Sequence, residues 1–300
     1  MSNSNSLTTQ KQQPRFSVAI QTKTYQEMIA NTLRDPDRQK RFVAAITSAV
    51  AVNPALQECE ASTILACALL GESLNLSPSP QLGQYYLVPF KQKEKRNRQG
   101  EVISPEITKA TFVLGYKGYI QLALRSGAYK DLDVLEIKEG EYKGRDRHTG
   151  RPVFEFIEDD EKWEKAPTVG YMALMEYLNG FVKILYWSKE IMLRHADRYA
   201  PAFSEVAYKK LLAGEIPQNE LWKYSSFWYK DFDEMAKKTM IRQLISKWGL
   251  MSTDMVKAMD SDNSLAQISG EDIVITPDNA LPIEQPEPVD VVANVSLDDI

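Results

Sequence analysis

Cysteine, histidine and the glycine-lysine pair are scarce or missing in this chain, and each shortage removes a class of chemistry. Only two cysteines, Cys59 and Cys67, and two histidines, His148 and His195, occur in 300 residues. The cysteines stand eight apart in an apolar stretch that reads as helix, about 12 Å along its axis, so they cannot bridge each other and are expected as buried free thiols. The histidines are far apart, and no Cys-x-x-Cys spacing accompanies them, so no metal site is expected. No glycine is followed by lysine, which excludes a P-loop. No run of 18 apolar residues is present and the first 13 residues hold no apolar run, so neither a membrane span nor a secretory signal is expected. A cytoplasmic location follows by default. The acidic run Glu158-Asp159-Asp160-Glu161 points its side chains in different directions and reads as a solvated loop rather than a two-metal centre. No catalytic residue and no cofactor is expected.

What is present suffices for one large domain. Hydrophobic residues make up 43% and aromatics 10% of the chain, enough for a core without disulfide or metal staples. The net charge of −5 hides an asymmetry. All 36 basic residues but only 31 of the 41 acidic ones lie in 1–257, a net of +5, while the remainder is purely acidic. A basic body with an acidic tail hints weakly at nucleic-acid contact.

The pattern predicts a disordered arm over 1–23, a body over 24–259 and an acidic disordered tail over 260–300. Helical periodicity begins near Tyr25 and is clear over 36–52, which opens on Pro36 and carries Phe42, Val43, Ile46 and Val50 on one face. A second helix is expected over 60–74, ended by the proline-containing turn at 77–80. Strands follow at 85–90 and 110–114, with the basic loop 91–106 as the tip of a hairpin. A helix over 116–126 leads to extended segments at 132–137, 153–157, 169–177 and 181–187. The last two are joined through Asn179-Gly180, a strong hairpin signal. Ser188 is a good N-cap for a helix over 189–198, and helices are expected at 207–212, 231–248 and 252–259. The fold class expected is α+β, with helices packed around a small, mainly antiparallel sheet.

Two of these segments carry chemistry. On the helix that follows Gly115, Lys117, Gln121 and Arg125 recur every four residues and form a polar row about 12 Å long, while Ile120, Ala123 and Leu124 can face the core. The amides at the helix start offer an anion site, and Tyr116 and Tyr119 could stack on bases. A plain amphipathic helix with solvated charges fits the same spacing. On the helix over 231–248, Ile241, Leu244, Ile245 and Trp248 form the core stripe. Lys237 continues that stripe, and Lys238 and Arg242 are like charges four apart, which is unfavourable unless something anionic lies between them. Asp233 and Glu234 stand four before Lys237 and Lys238, so ordinary intrahelical pairs explain these lysines equally well.

The run Gly115-Tyr-Lys-Gly-Tyr-Ile-Gln-Leu-Ala-Leu-Arg-Ser-Gly127 resembles the Gly-Tyr-Arg/Lys-Gly motif of RecT-type phage recombinases. Glu234-Met-Ala-Lys-Lys-Thr239 with Arg242 resembles the family's second motif, with Trp228 upstream of it. Leu82-Gly83 and Leu87-Val88-Pro89-Phe90, together with Leu70-Gly71, resemble further stretches, and the likeness spans about residues 25–259. The segment 199–221 is longer than in typical members, and the loop after Phe90 is variable. The resemblance implies ATP-independent binding of single-stranded DNA, assembly into rings or filaments, and annealing of complementary strands in phage recombination, without enzymatic turnover. It implies an annealed duplex, a partner exonuclease and the host single-strand-binding protein as further partners. It also implies DNA contacts from Lys117, Tyr119, Gln121, Arg125, Trp228, Lys237, Lys238 and Arg242. A nuclease and a purely structural phage oligomer are the rival readings. The tip at 295–300 resembles the partner-binding tip of bacterial single-strand-binding proteins, although a solvated tail that limits non-specific DNA binding is the plainer reading.

Overall fold

A helix that is apolar on all sides must be buried on all sides, and one segment here is: residues 63–71 are buried without interruption inside a helix at Ala61–Ser73. The computed structural model describes residues 15–277 apart from 93, 98, 101, 105, 263, 270 and 271. In chain order the first elements are α1 (Phe16–Ala19), α2 (Lys23–Thr32), α3 (Pro36–Val52), α4 (Ala61–Ser73), β1 (Tyr85–Gln92), β2 (Lys95–Arg96), β3 (Val102–Ser104), β4 (Ile107–Leu114) and α5 (Tyr116–Leu124). The middle of the chain gives β5 (Tyr129–Lys138), β6 (Tyr142–Arg145), β7 (Pro152–Phe154), α6 (Asp160–Lys165), β8 (Thr168–Tyr177) and β9 (Val182–Ser188). Then follow α7 (Lys189–Tyr199), α8 (Glu205–Leu212), α9 (Phe227–Lys230), α10 (Phe232–Trp248), α11 (Thr253–Ser261), β10 (Ser264–Ser269) and β11 (Asp272–Pro277).

The α+β expectation holds, with the strands divided between two main antiparallel sheets. One has the order β1-β4-β10-β11 and the other β5-β8-β9, and two short ribbons, β2-β3 and β6-β7, stand beside them. β1 and β4 pair without a slip from Tyr85↔Leu114 to Gln92↔Ile107, so the expected hairpin forms, and the stretch expected as its loop carries the β2-β3 ribbon. α4 lies on this first sheet. Thr63 Oγ1 accepts the Ala110 amide at 2.9 Å, and Cys67 contacts the Ala110 carbonyl at 3.4 Å. Both cysteines are buried and neither forms a disulfide. Asn75, with φ of 56°, ends α4 in a left-handed turn in which the Asn75 amide bonds Glu72 O and the Leu76 amide bonds Gly71 O. Gly71 has no side chain because the ring of Tyr85 occupies that space.

The second sheet carries α10 on one face. Phe232, Ala236, Met240, Ile241, Leu244 and Ile245 are buried along it, and α10 also touches α5. The hairpin turns at Gly180, φ +84°, and Ser188 caps α7 by accepting the Ile191 amide. Both features follow the sequence expectation, as does α3, where Asp35 caps a helix with proline at its first position.

Three expectations change. The residues at 15–23 are not a free arm, because Phe16 and Ile20 are buried in the core. The chain after Asp260 continues into β10 and β11, so its first part completes a sheet. The expected arm over 1–14 and tail over 278–300, including the tip at 295–300, lie outside the described residues. The acidic run opens a short helix rather than lying wholly in a loop: Asp159 caps α6 by accepting the Lys162 amide, and Asp160 and Glu161 sit in the first turn, where negative charge is favourable. Among the described residues no helix is long and apolar enough to cross a membrane.

Candidate nucleic-acid interface

The glycines of the first motif are set by close backbone approach. A side chain at Gly115 would collide with the carbonyl oxygen of Gly83, and one at Gly118 with that of Gln84. The Gly115 amide in turn donates to Gln84 O at 2.9 Å. The segment leading into β1 therefore lies directly on the first turn of α5. Lys117 folds its alkyl chain over Gly83, which itself has φ of +61°.

Three polar side chains leave α5 on its outer side, and Lys117, Gln121 and Arg125 are all exposed. The row expected from their spacing exists. Arg125 has a second duty, since its guanidinium donates to Leu74 O at 2.5 Å and Asn75 O at 2.7 Å. These are carbonyls freed at the end of α4, so Arg125 also caps that helix.

The inner side of α5 meets α10 around one carboxylate. Asp262, fully buried, accepts from the Leu114 amide at 2.9 Å, Tyr119 Oη at 2.9 Å and Lys238 Nζ at 2.8 Å, and lies 3.5 Å from Arg242 Nη1. This is the anion that the adjacent like charges Lys238 and Arg242 require. Burial pushes the Tyr119 hydroxyl well above its ordinary pKa, and the Asp262 charge adds to this. Burial also lowers the pKa of Lys238, against the pull of Asp262. Arg242 is held more firmly protonated, first by Tyr119 and then by Asp262 and Asp260, in spite of its burial.

Lys237 stands apart from this cluster. It is paired with Glu234 one turn back and lies 3.5 Å from Glu136 on β5 and 5.4 Å from the centre of the Tyr116 ring. Burial opposes its charge, but Glu234, Glu136 and Tyr116 together outweigh that and raise its pKa. Glu136 is bonded in turn by Lys138 at 3.2 Å and Thr168 at 3.0 Å. These contacts hold its carboxyl below the ordinary value against the opposing effect of burial.

The eight expected DNA-contact residues thus fall into three groups. Lys117, Gln121 and Arg125 are exposed and adjacent. Lys237 and Arg242 are largely buried and already paired. Tyr119, Trp228 and Lys238 are core residues, contrary to the expectation of base stacking or phosphate contact by them. Tyr119 is sealed behind α10. Trp228 packs in an aromatic cluster, with ring centres 5.3 Å from Phe232 and 5.9 Å from Phe203. Lys238 is consumed by Asp262. Leu124, expected in the core, is 47% exposed, and Leu122 takes its place beside Ala123. The sequence reading missed Asp262 and Glu136. The like-charge pair Lys238 and Arg242 was the signal for a buried acid, but that acid lies in a stretch that reads as tail. Among the described residues no group of three or more His, Cys, Asp or Glu side chains is placed to hold a metal ion.

A family model and two relatives match the chain across this region. The model of the RecT family matches residues 40–277, a span that contains α4, β1, both motif helices and Asp262. Over 223 residues the chain is 32% identical to the uncharacterized protein YqaK of Bacillus subtilis, an alignment that covers 74% of this chain and 63% of YqaK. It is 25% identical over 249 residues to protein RecT of Escherichia coli, covering 81% of this chain and 78% of that one. The chain spans a little under two thirds of the length of YqaK. With the family model matched over well more than half its length, this chain belongs to the RecT family.

Proposed function

We propose that this protein binds single-stranded DNA without ATP and anneals it to a complementary strand during phage-type homologous recombination, acting as an oligomer on the DNA. The observation that carries this reading is the exposed row of Lys117, Gln121 and Arg125 on α5, set on a helix start that two glycines hold against the segment before β1. A row of about 12 Å along the helix is about two phosphate spacings on an extended strand. Cations neutralise phosphates with release of counterions and select no sequence. A protein that grips the backbone leaves the bases open for pairing, as annealing requires. In this reading α5 is the wall of a groove that neighbouring subunits continue. The second strand pairs with the presented bases, and the protein holds the annealed duplex more tightly than either strand. A processing exonuclease would supply the strand, host single-strand-binding protein would compete for it, and the setting is the cytoplasm of a bacterial host.

A gel-shift series tests this. One labelled strand is bound, then its complement is added without nucleotide. The reading predicts a retarded single-strand complex that converts to a retarded duplex. Cleavage of the labelled DNA with magnesium or manganese would favour a nuclease, and assembly indifferent to oligonucleotides would favour a structural phage oligomer.

A further inference from the structure

A cleft of about 320 Å³ opens between α3 and the turn that joins α4 to β1. Arg38, Arg41 and Phe42 on α3 line one side, and Asn75, Ser77 and Gln84 line the other. The one carboxylate in it, Glu72, is bonded to Arg38 Nε at 2.5 Å, which cancels its charge and leaves Arg41 as the uncompensated cation. Arg41 is exposed and has no ion pair or hydrogen bond among the described residues. The Gln84 side chain is fixed by its oxygen, which accepts the Ser77 amide at 2.7 Å, so its two N–H donors remain available. The cleft therefore offers a free guanidinium and a positioned amide beside the apolar edge of Phe42.

Its position matters as much as its chemistry. Both ends of α5 are tied to its far wall: the Gly115 amide bonds Gln84 O, and the Arg125 guanidinium bonds Leu74 O and Asn75 O. Lys117 leans onto Gly83 beside Gln84. The cationic row of α5 and the cleft thus share the 74–84 turn as a common rim. On the reading of α5 as a strand-binding row, a strand held by Lys117, Gln121 and Arg125 would pass along this rim.

We propose that the α3 cleft is a nucleotide subsite for the bound single strand, with Arg41 and the Gln84 amide taking a phosphodiester and the nucleoside lying against the apolar wall. The inference rests on the reading of α5 as a strand-binding row. Its volume is suited to a nucleotide rather than to a bare phosphate.

Anisotropy titrations of a labelled oligothymidine with the full chain over a salt series test it, with wild type, Arg41→Ala, Arg41→Glu, Arg41→Lys and Lys117→Ala. Arg41→Ala is expected to weaken binding about five-fold, the scale of one screened charge pair. It is also expected to make the dependence of log affinity on log salt shallower by about 0.7, the effect of one phosphate on a single strand. Arg41→Glu should weaken binding further, Arg41→Lys should keep the wild-type slope, and thermal melts should match wild type because Arg41 has no partner to lose. Unchanged affinity and slope in both Arg41→Ala and Arg41→Glu, with Lys117→Ala weakened, would overturn the cleft and leave the α5 reading standing. Wild type that ignores the oligonucleotide would overturn both. A calorimetric titration with thymidine 5′-monophosphate gives the last arm: binding that needs Arg41 while oligonucleotide affinity does not would make the cleft a free-nucleotide site and overturn its place on the strand.

Discussion

Lys238 and Asp262 form a 2.8 Å ion pair between α10 and the end of α11, with both side chains buried. The pair joins the second family motif to the part of the chain that the sequence alone presents as tail. Removing one member of such a pair strands the other charge in the interior. Asp262→Ala should therefore cost about 3–5 kcal/mol, read as a lower urea midpoint. Truncation of the chain before residue 262 should have at least as large an effect. A truncated protein as stable as the full chain would show that the pair is not what holds α5 and α10 together.

The two motif glycines give a second expectation. Alanine is the better helix former by about 1 kcal/mol, yet at Gly118 its methyl group has no room beside Gln84 O. Gly118→Ala should be destabilising by about 1–3 kcal/mol, the range for overpacking, and Gly115→Ala likewise. Either variant melting at or above the wild-type temperature would show that the segment before β1 does not lie on α5.

Glu136 sets a pH limit. Its folded-state pKa is depressed below the ordinary 4.5 by Lys138, Thr168 and Lys237. As the pH falls through 4.5 the unfolded chain takes up the proton first, so the stability from Glu136 is complete above that value and is lost as the pH drops through the folded-state pKa. Thermal melts between pH 7 and pH 3 should fall less steeply for Glu136→Gln than for wild type. Parallel curves would remove this group from the acid limb.

Exposed and buried charges should separate in binding. Lys117→Glu with Gln121→Glu should weaken oligonucleotide binding and leave stability within about 0.5 kcal/mol. Lys238→Met should do the reverse in kind, with loss of fold preceding any loss of DNA affinity. Charge reversal at Arg242 should unfold the protein because Arg242 lies against Asp262. Circular dichroism of each variant beside its gel shift distinguishes these outcomes.

The sequence showed what is local. Pro36 after Asp35, Asn179-Gly180 between alternating runs, and Ser188 before α7 each act over two to four residues, and each element formed where its signal lies. The row of Lys117, Gln121 and Arg125 was legible for the same reason. What could not be read depends on partners distant in sequence. Tyr119 looks like an accessible aromatic until its hydroxyl is seen to donate to Asp262, 143 positions away. Lys238 looks like half of an i,i+4 pair with Glu234 until the same acid takes it. Arg125 looks free until the end of α4 is brought to it. Asp262 itself sits in a segment whose composition is acidic and aperiodic, and its burial follows from β10 joining β4 at Ser264↔Phe112.

The most direct measurement is the rate at which two complementary oligonucleotides, one labelled with a donor and the other with an acceptor, come together without ATP after the protein has bound one of them. Wild type should bring energy transfer on faster than the protein-free strands do, and Lys117→Glu with Gln121→Glu should return the rate to the spontaneous one while keeping the wild-type melting curve. A wild-type rate no faster than the protein-free rate, or a charge-reversed protein that anneals as well as wild type, would contradict strand annealing on the face of α5.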